Sequence, residues 1–200
     1  MEFARGELAR TGNRRALDIG CGAGRNAVPL AALGWHVLGL DLSWTMLVAA
    51  ANRARDESVG ERCRVAQAAM DRLPVPDTSC GLVIAHGIWN LARSDAEFRE
   101  AVNDAARVAM PGAALFVFTF SRSTLADAAE PVPGESLAFR NLSGEPQTYL
   151  TRQQLTEELG AAGFVADPAK PLREVNPRVP GMLIAAGSPV IWEGVFRSRG

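Results

Sequence analysis

The residues best placed to do chemistry stand in one short stretch, Asp18-Ile19-Gly20-Cys21-Gly22-Ala23-Gly24. Three glycines alternate there, two residues after an acid, between an apolar run and a helix-like run, Arg25-Asn26-Ala27-Val28-Pro29-Leu30-Ala31. Glycine permits positive φ and lets a ligand come close to the main chain. A turn that opens a helix also offers free N–H groups at the positive end of the helix dipole. The expected ligand has a polar, partly anionic edge. Asp41 follows about 20 residues after the first glycine, where a carboxylate can bind both ribose hydroxyls of a nucleoside cofactor. The remaining candidate is His86, one of two histidines, in Ala85-His86-Gly87-Ile88-Trp89-Asn90. An ordinary imidazole pKa of about 6.5 suits a general base.

The elements that must hold these residues follow from the hydrophobic pattern. Leu17 to Ile19 reads as a first strand, Arg25 to Leu33 as a helix stopped at Gly34, and Trp35 to Leu40 as a second strand ending at Asp41. Ser43 is an expected N-cap for a helix over Trp44 to Arg55. Arg64 to Ala66 is a short third strand, and Leu82 to Ala85 is apolar enough for a strand buried on both faces. Ser94 should cap a helix running to about Met110 and ended by Pro111-Gly112, before another buried strand, Ala113 to Phe120. Thr151 with Gln154 is a capping-box signature, Phe164 onward is extended, and Val190 to Phe196 is a last strand. Strands alternating with helices predict an α/β fold, a doubly wound parallel sheet with its ligand outside the carboxyl ends of the strands.

The glycine pattern narrows the ligand. No Gly-Lys pair occurs, so a P-loop is excluded, and Arg25 stands where a dinucleotide fingerprint wants its third glycine. The stretch D-I-G-C-G-A-G resembles motif I of class I S-adenosylmethionine (SAM)-dependent methyltransferases. Its continuation Gly24-Arg25-Asn26-Ala27-Val28-Pro29-Leu30-Ala31 is similar to small members such as tellurite-resistance and thiol methyltransferases. The resemblance covers roughly residues 14 to 197 and is most specific from Asp18 to Asn26. It implies a Rossmann-like seven-stranded sheet, mostly parallel with an antiparallel last strand. It also implies SAM as cofactor and S-adenosylhomocysteine as product.

By that resemblance the cofactor contacts are Asp18, Gly20, Cys21, Gly22, Gly24 and Asp41. Leu42 and Met46 line the adenine side, and Met70 and Asp71 meet the base. His86, following the fourth strand, falls beside the transferable methyl as cofactor contact and catalytic base. Trp89 and Asn90 are expected to line the acceptor pocket. No metal site is expected, because the three cysteines lack metal spacing. The rival readings are an NAD(P)-dependent oxidoreductase, weakened by Arg25, and a SAM-binding protein without catalysis.

A net charge of −1 gives no attraction to nucleic acid or an anionic membrane. No apolar run approaches the roughly 20 residues of a membrane span, and Met1 to Arg15 has no signal-like apolar core. An odd cysteine count fits a reducing cytosol. One domain over residues 1–200, as a monomer or homodimer, is expected. Residues 121–150 break the alternation with about 30 residues, longer than ordinary loops, and read as a hairpin around Ser143-Gly144-Glu145. This insertion is the expected lid, with Arg122, Arg140, Gln147 and Tyr149 as acceptor contacts. From Ser121 to Gly160 six acids outnumber three arginines, the reverse of a phosphate-tracking surface. A small-molecule acceptor is therefore expected.

Overall fold

A computed structural model describes residues 1–141, 143–177 and 189–200. The helix α1 (Glu2–Arg10) leads into β1 (Arg15–Ile19), α2 (Ala27–Ala32), β2 (His36–Asp41), α3 (Trp44–Asp56), β3 (Cys63–Gln67) and β4 (Cys80–His86). A 3-10 turn, Trp89–Leu91, precedes α4 (Asp95–Val108) and β5 (Ala109–Phe120). Then come β6 (Ala138–Arg140), β7 (Pro146–Thr148), α5 (Arg152–Ala161), β8 (Phe164–Ala166), β9 (Arg173–Val175) and β10 (Ile191–Ser198).

The main sheet has eight strands in the order β3-β2-β1-β4-β5-β10-β8, with β9 also on β10. The pairs from β3 to β5 are parallel, and those made by β10 are antiparallel. The order reverses between β1 and β4, which places the switch point over the glycine turn and His86. The count exceeds the expected seven because β8 and β9 share the outer edge of β10, each over three residues. One face of the sheet packs on α4 and α5 through Leu17, Val83, Leu115, Phe98 and Leu155, and the other on α1, α2 and α3 through Val28, Leu47, Leu82 and Trp35.

Local signals decide most element ends. Ser43 Oγ accepts from Met46 N at 3.4 Å, Ser94 Oγ from Glu97 N at 3.1 Å, and Thr151 with Gln154 forms the reciprocal capping box. Two expectations need correction. Helix α4 ends at Val108, and β5 starts at Ala109, upstream of Pro111-Gly112. Proline is tolerated there because the β4–β5 register shifts between Cys80 and Leu82, so no ladder bond is lost. The first residues, to which the hydrophobic pattern assigned no element, form α1. Glu7 holds that helix to the last strand, its carboxylate accepting from Arg197 Nη1 and Nη2 at 2.6 Å each, and Trp35 Nε1 donates to Ala4 O at 3.1 Å.

The insertion after β5 forms the expected hairpin, β6 with β7, apart from Leu142, which lies outside the described residues. It is anchored along its length. Asp95, in the first turn of α4, accepts from Ser136 N (2.9 Å), Ser136 Oγ (2.6 Å) and Leu137 N (2.9 Å), while Glu135 accepts from Asp95 N (2.6 Å). Thr148 Oγ1 donates to Ala92 O, Leu150 N to Phe120 O, and Leu137, Ala138 and Leu150 are buried. Burial works to raise the Asp95 carboxyl, but the bonds from Ser136 and Leu137 outweigh it and hold its pKa below the ordinary value. This clasp contributes its full stability above that ordinary value and loses it as pH falls through the lowered one. Asp95→Ala removes three charge-assisted bonds and strands their donors, at about 2–3 kcal/mol. A thermal unfolding midpoint lower by roughly 5–10 °C at pH 7 is expected by circular dichroism.

Candidate functional site

The carboxyl ends of β1, β2 and β4 bring the glycine turn, Asp41 and His86 to one rim of the sheet. Gly20, Gly22 and Gly24 have φ of +69°, +52° and +80°. Their reasons for being glycine differ. A Cβ on Gly20 would fall 2.7 Å from Ile88 Cδ1, and one on Gly24 2.9 Å from Val28 Cγ2, whereas one on Gly22 would meet nothing within 4 Å. Gly20 and Gly24 thus serve close packing, and Gly22 presents bare backbone outward. Cys21 turns its side chain inward, filling the room that Gly39 leaves, and its N–H goes to Leu40 O at 2.8 Å. Burial, with the charges of Asp18 and Asp41 adding to it, pushes the Cys21 thiol up to about 12, so it is not a nucleophile.

Asp18 is fully buried at the end of β1. Its Oδ1 accepts from Asn26 Nδ2 at 3.5 Å, and the Ala27 N–H also hydrogen-bonds the carboxylate. Its Oδ2 has no partner among the described residues. Burial pushes its pKa up to about 7, against the pull of Asn26, Ala27 and the Arg25 charge, while Asp41 adds to the rise. A buried carboxylate oxygen left unpaired beside an outward-facing glycine fits the ammonium group of a methionine moiety. The residues present therefore suit SAM. Asn26, at the N-cap position of α2 but with its side chain on Asp18 instead of the helix end, was not singled out from the sequence; its signal is a cap-type residue eight positions after the acid.

Asp41 accepts from Gly22 N (2.9 Å) on one oxygen and Ser43 N (2.8 Å) on the other, so the turn and the next helix fix its orientation. Beside it Leu42 is 66% and Met46 47% exposed, apolar surface suited to a flat base. Met70 is half-buried against the main core and Asp71 half-buried after it. Leu42 follows the carboxyl end of β2, and Met70 and Asp71 follow that of β3.

His86 is half-buried at the end of β4, its ring 4.3 Å from that of Phe118 and 5.7 Å from that of Phe116. Burial first, then the Arg25 charge, lowers its pKa to about 4, against a smaller opposing effect of Glu193. The imidazole is neutral at physiological pH.

The expected acceptor contacts divide. Asn90 is buried beside Gly87, and its Oδ1 has no partner among the described residues. Trp89 is a correction: it is fully buried, edge-on to Phe98 of α4 at 6.1 Å, so it supports the turn from beneath. Tyr149 is buried against Phe120 at 5.4 Å, and its hydroxyl bonds Gln147 Oε1 at 3.1 Å. Arg122 lies over Phe139 at 4.6 Å and donates to Ala126 O and Ala129 O. Arg140 donates to Gly144 O within its own hairpin. Phe116, Phe118 and Phe120 were expected inside a buried strand. They alternate on one face of β5 and are only half-buried.

A family model described as a methyltransferase domain matches residues 16–112. A demethylmenaquinone methyltransferase from Clavibacter sepedonicus is 26% identical over 175 residues, 80% of this chain and 69% of that one. A SAM-dependent methyltransferase from Methanosarcina mazei superposes with a TM-score of 0.74 at 20% identity, over 94% of this chain and 93% of that one. A Burkholderia thailandensis 1,6-didemethyltoxoflavin-N1-methyltransferase, solved with 1,6-didemethyltoxoflavin and S-adenosylhomocysteine, gives 0.69 at 22% identity, over 98% and 77%. The matched stretch opens on the strand that carries Asp18, spans the one that carries His86, and ends in the first residues of β5. With the sheet order and the glycine turn, it shows a chain with the fold of class I SAM-dependent methyltransferases, matched as a methyltransferase domain over residues 16–112.

Proposed function

We propose that the chain transfers a methyl group from SAM to a small organic acceptor at the rim formed by β1, β4 and β5. The observation that carries this reading is the buried Asp18 Oδ2, without a partner among the described residues, at the head of a turn in which Gly22 faces open space. SAM, when bound, supplies a sulfonium methyl already activated for in-line displacement. Asp18 and the backbone from Gly20 to Gly24 would hold its methionine part. Asp41 would take the ribose hydroxyls, while Leu42, Met46, Met70 and Asp71 would hold the adenine. The chain's own contribution is mainly alignment, which can lower a barrier by about 7–11 kcal/mol. His86, neutral at the end of β4, accepts the proton that leaves the acceptor's nucleophilic atom. Its low basicity means the proton moves in concert with methyl transfer, and Glu193 is the nearby charge that favours the cation formed.

Residues 121–150, pinned through Asp95, act in this reading as a fixed wall of the acceptor site, with Gln147, Tyr149, Arg122 and Arg140 on or behind it. The excess of acids there disfavours a nucleic-acid acceptor. Three buried, unpaired cysteines support a reducing, cytosolic setting. The naming of 1,6-didemethyltoxoflavin and demethylmenaquinone in two related proteins also supports a small-molecule acceptor.

Calorimetric titration tests the cofactor: S-adenosylhomocysteine should bind, and binding of NADH in its place would sink the reading. His86→Ala should lower turnover roughly 100-fold, measured as S-adenosylhomocysteine released across an acceptor panel, with cofactor affinity within twofold. Unchanged turnover removes His86 from the proton-transfer role.

A further inference from the structure

The outward face of β5 near the cofactor rim is aromatic at every position. Phe116, Phe118 and Phe120 alternate there, all half-buried. Ring contacts widen the row on both sides. His86 lies 4.3 Å from Phe118 on the β4 side, and Tyr149 lies 5.4 Å from Phe120 on the hairpin side. Phe139 meets Tyr149 edge-on at 6.3 Å, and Gln147 holds the Tyr149 hydroxyl, so that end of the row is fixed. A folded core has no need of this arrangement, since partly exposed aliphatic residues would serve a strand equally. Aromatic faces instead favour flat π-systems in offset or tilted contact.

Two further observations limit what lies on the row. Glu193 stands opposite Phe118 across the β5–β10 ladder, and Arg173 pairs with it at 2.7 Å, so this carboxylate is not free to bind a cationic acceptor. Asn90 Oδ1, one turn beyond His86, is a buried acceptor without a partner among the described residues, and a Cβ on Gly87 would stand 4.0 Å from it. An unpaired buried acceptor calls for a donor.

We infer that the methyl acceptor is a planar aromatic or heteroaromatic compound carrying an O–H or N–H group, laid against the ring row from His86 to Tyr149 with its donor toward Asn90. This inference rests on the methyl-transfer reading above. The carbon framework is recognised by stacking. The atom that receives the methyl loses its proton to His86 as the new bond to carbon forms and the sulfonium bond breaks, leaving neutral S-adenosylhomocysteine.

The test uses 2-naphthol and its saturated counterpart decahydro-2-naphthol as probes, titrated by NMR into the full chain with and without S-adenosylhomocysteine. 2-Naphthol should bind at least tenfold more tightly than the saturated alcohol, and tenfold more tightly than 2-methoxynaphthalene, which lacks the donor. Phe118→Leu should weaken 2-naphthol about tenfold, Phe118→Tyr by no more than threefold, and neither should change S-adenosylhomocysteine affinity beyond twofold. Equal binding of planar and saturated probes overturns the inference. So does the absence of binding by either, or an equal loss in the Leu and Tyr variants. The two readings fail separately. Ring preference without S-adenosylhomocysteine binding removes methyl transfer and leaves an aromatic-binding surface. S-adenosylhomocysteine binding without ring preference removes the aromatic acceptor and leaves methyl transfer.

Discussion

Asp18→Asn is expected to raise the unfolding midpoint by about 4–8 °C at pH 8 and leave it unchanged at pH 5. The same substitution should weaken S-adenosylhomocysteine binding by roughly 10–100-fold. The sign follows from the raised carboxyl. Its pKa moves from 3.8 to about 7 in the folded chain. A raised acid favours the fold where it is protonated, and that advantage is lost as pH rises through the folded value. Above pH 7 the ionised group therefore costs on the order of 4 kcal/mol. Asparagine removes the charge but leaves one polar atom unpaired, so about half of that is recovered. At pH 5 only about a third of that penalty has developed, and the unpaired atom of asparagine offsets it, so the substitution changes little. A ligand ammonium reverses the balance, because it needs the charge that the empty fold penalises. Differential scanning calorimetry at two pH values with parallel titration of the cofactor product checks both halves. A fall in stability at pH 8, or unchanged affinity, would show that Asp18 only braces the turn.

The glycine turn yields the second large effect. Gly20→Ala meets the Ile88 side chain at 2.7 Å while holding φ at +69°. Left-handed strain of roughly 1–2 kcal/mol adds to overpacking of roughly 1–3 kcal/mol. The unfolding midpoint should drop by about 6–12 °C. Gly22→Ala carries the strain alone, since its Cβ enters open space. It should cost about 1–2 kcal/mol yet weaken S-adenosylhomocysteine at least tenfold, because backbone approach is blocked. Equal effects of the two substitutions on stability, or none of Gly22→Ala on affinity, would contradict the division of labour within the turn.

What was legible in the sequence was what neighbouring residues decide. The caps at Ser43, Ser94 and Thr151 act within one turn, and their side chains bond where their types require. The glycine turn and Asp41 are separated by one strand–helix–strand unit, so their meeting, Gly22 N to Asp41 Oδ2, follows from local order. Contacts between distant segments were not legible. The anchoring of the insertion depends on Asp95 meeting Ser136 and Leu137, about 40 residues on, and no residue type in the hairpin announces that partner. Trp89 has the same identity in a pocket wall and in a core; its position against Phe98 decides between them. Phe116, Phe118 and Phe120 carried a visible period of two, but which face stays open depends on which helices cover it. The basicity of His86 was beyond reach for the same reason, since burial and Arg25 set it rather than its neighbours in sequence.

The Glu7–Arg197 pair joins residues separated by 190 positions. Its consequence concerns the order of assembly on the ribosome. The parallel core from β3 to β5 needs only the first 120 residues, and can form while the rest is being made. The helix α1, made before that core, has Arg10 as a partner for Glu7 within its own last turn, but must wait for β10 before Arg197 joins them. Residues 1–10 can thus dock on Trp35 early, and the pairing with Arg197 closes the contact only once the last strand is in place.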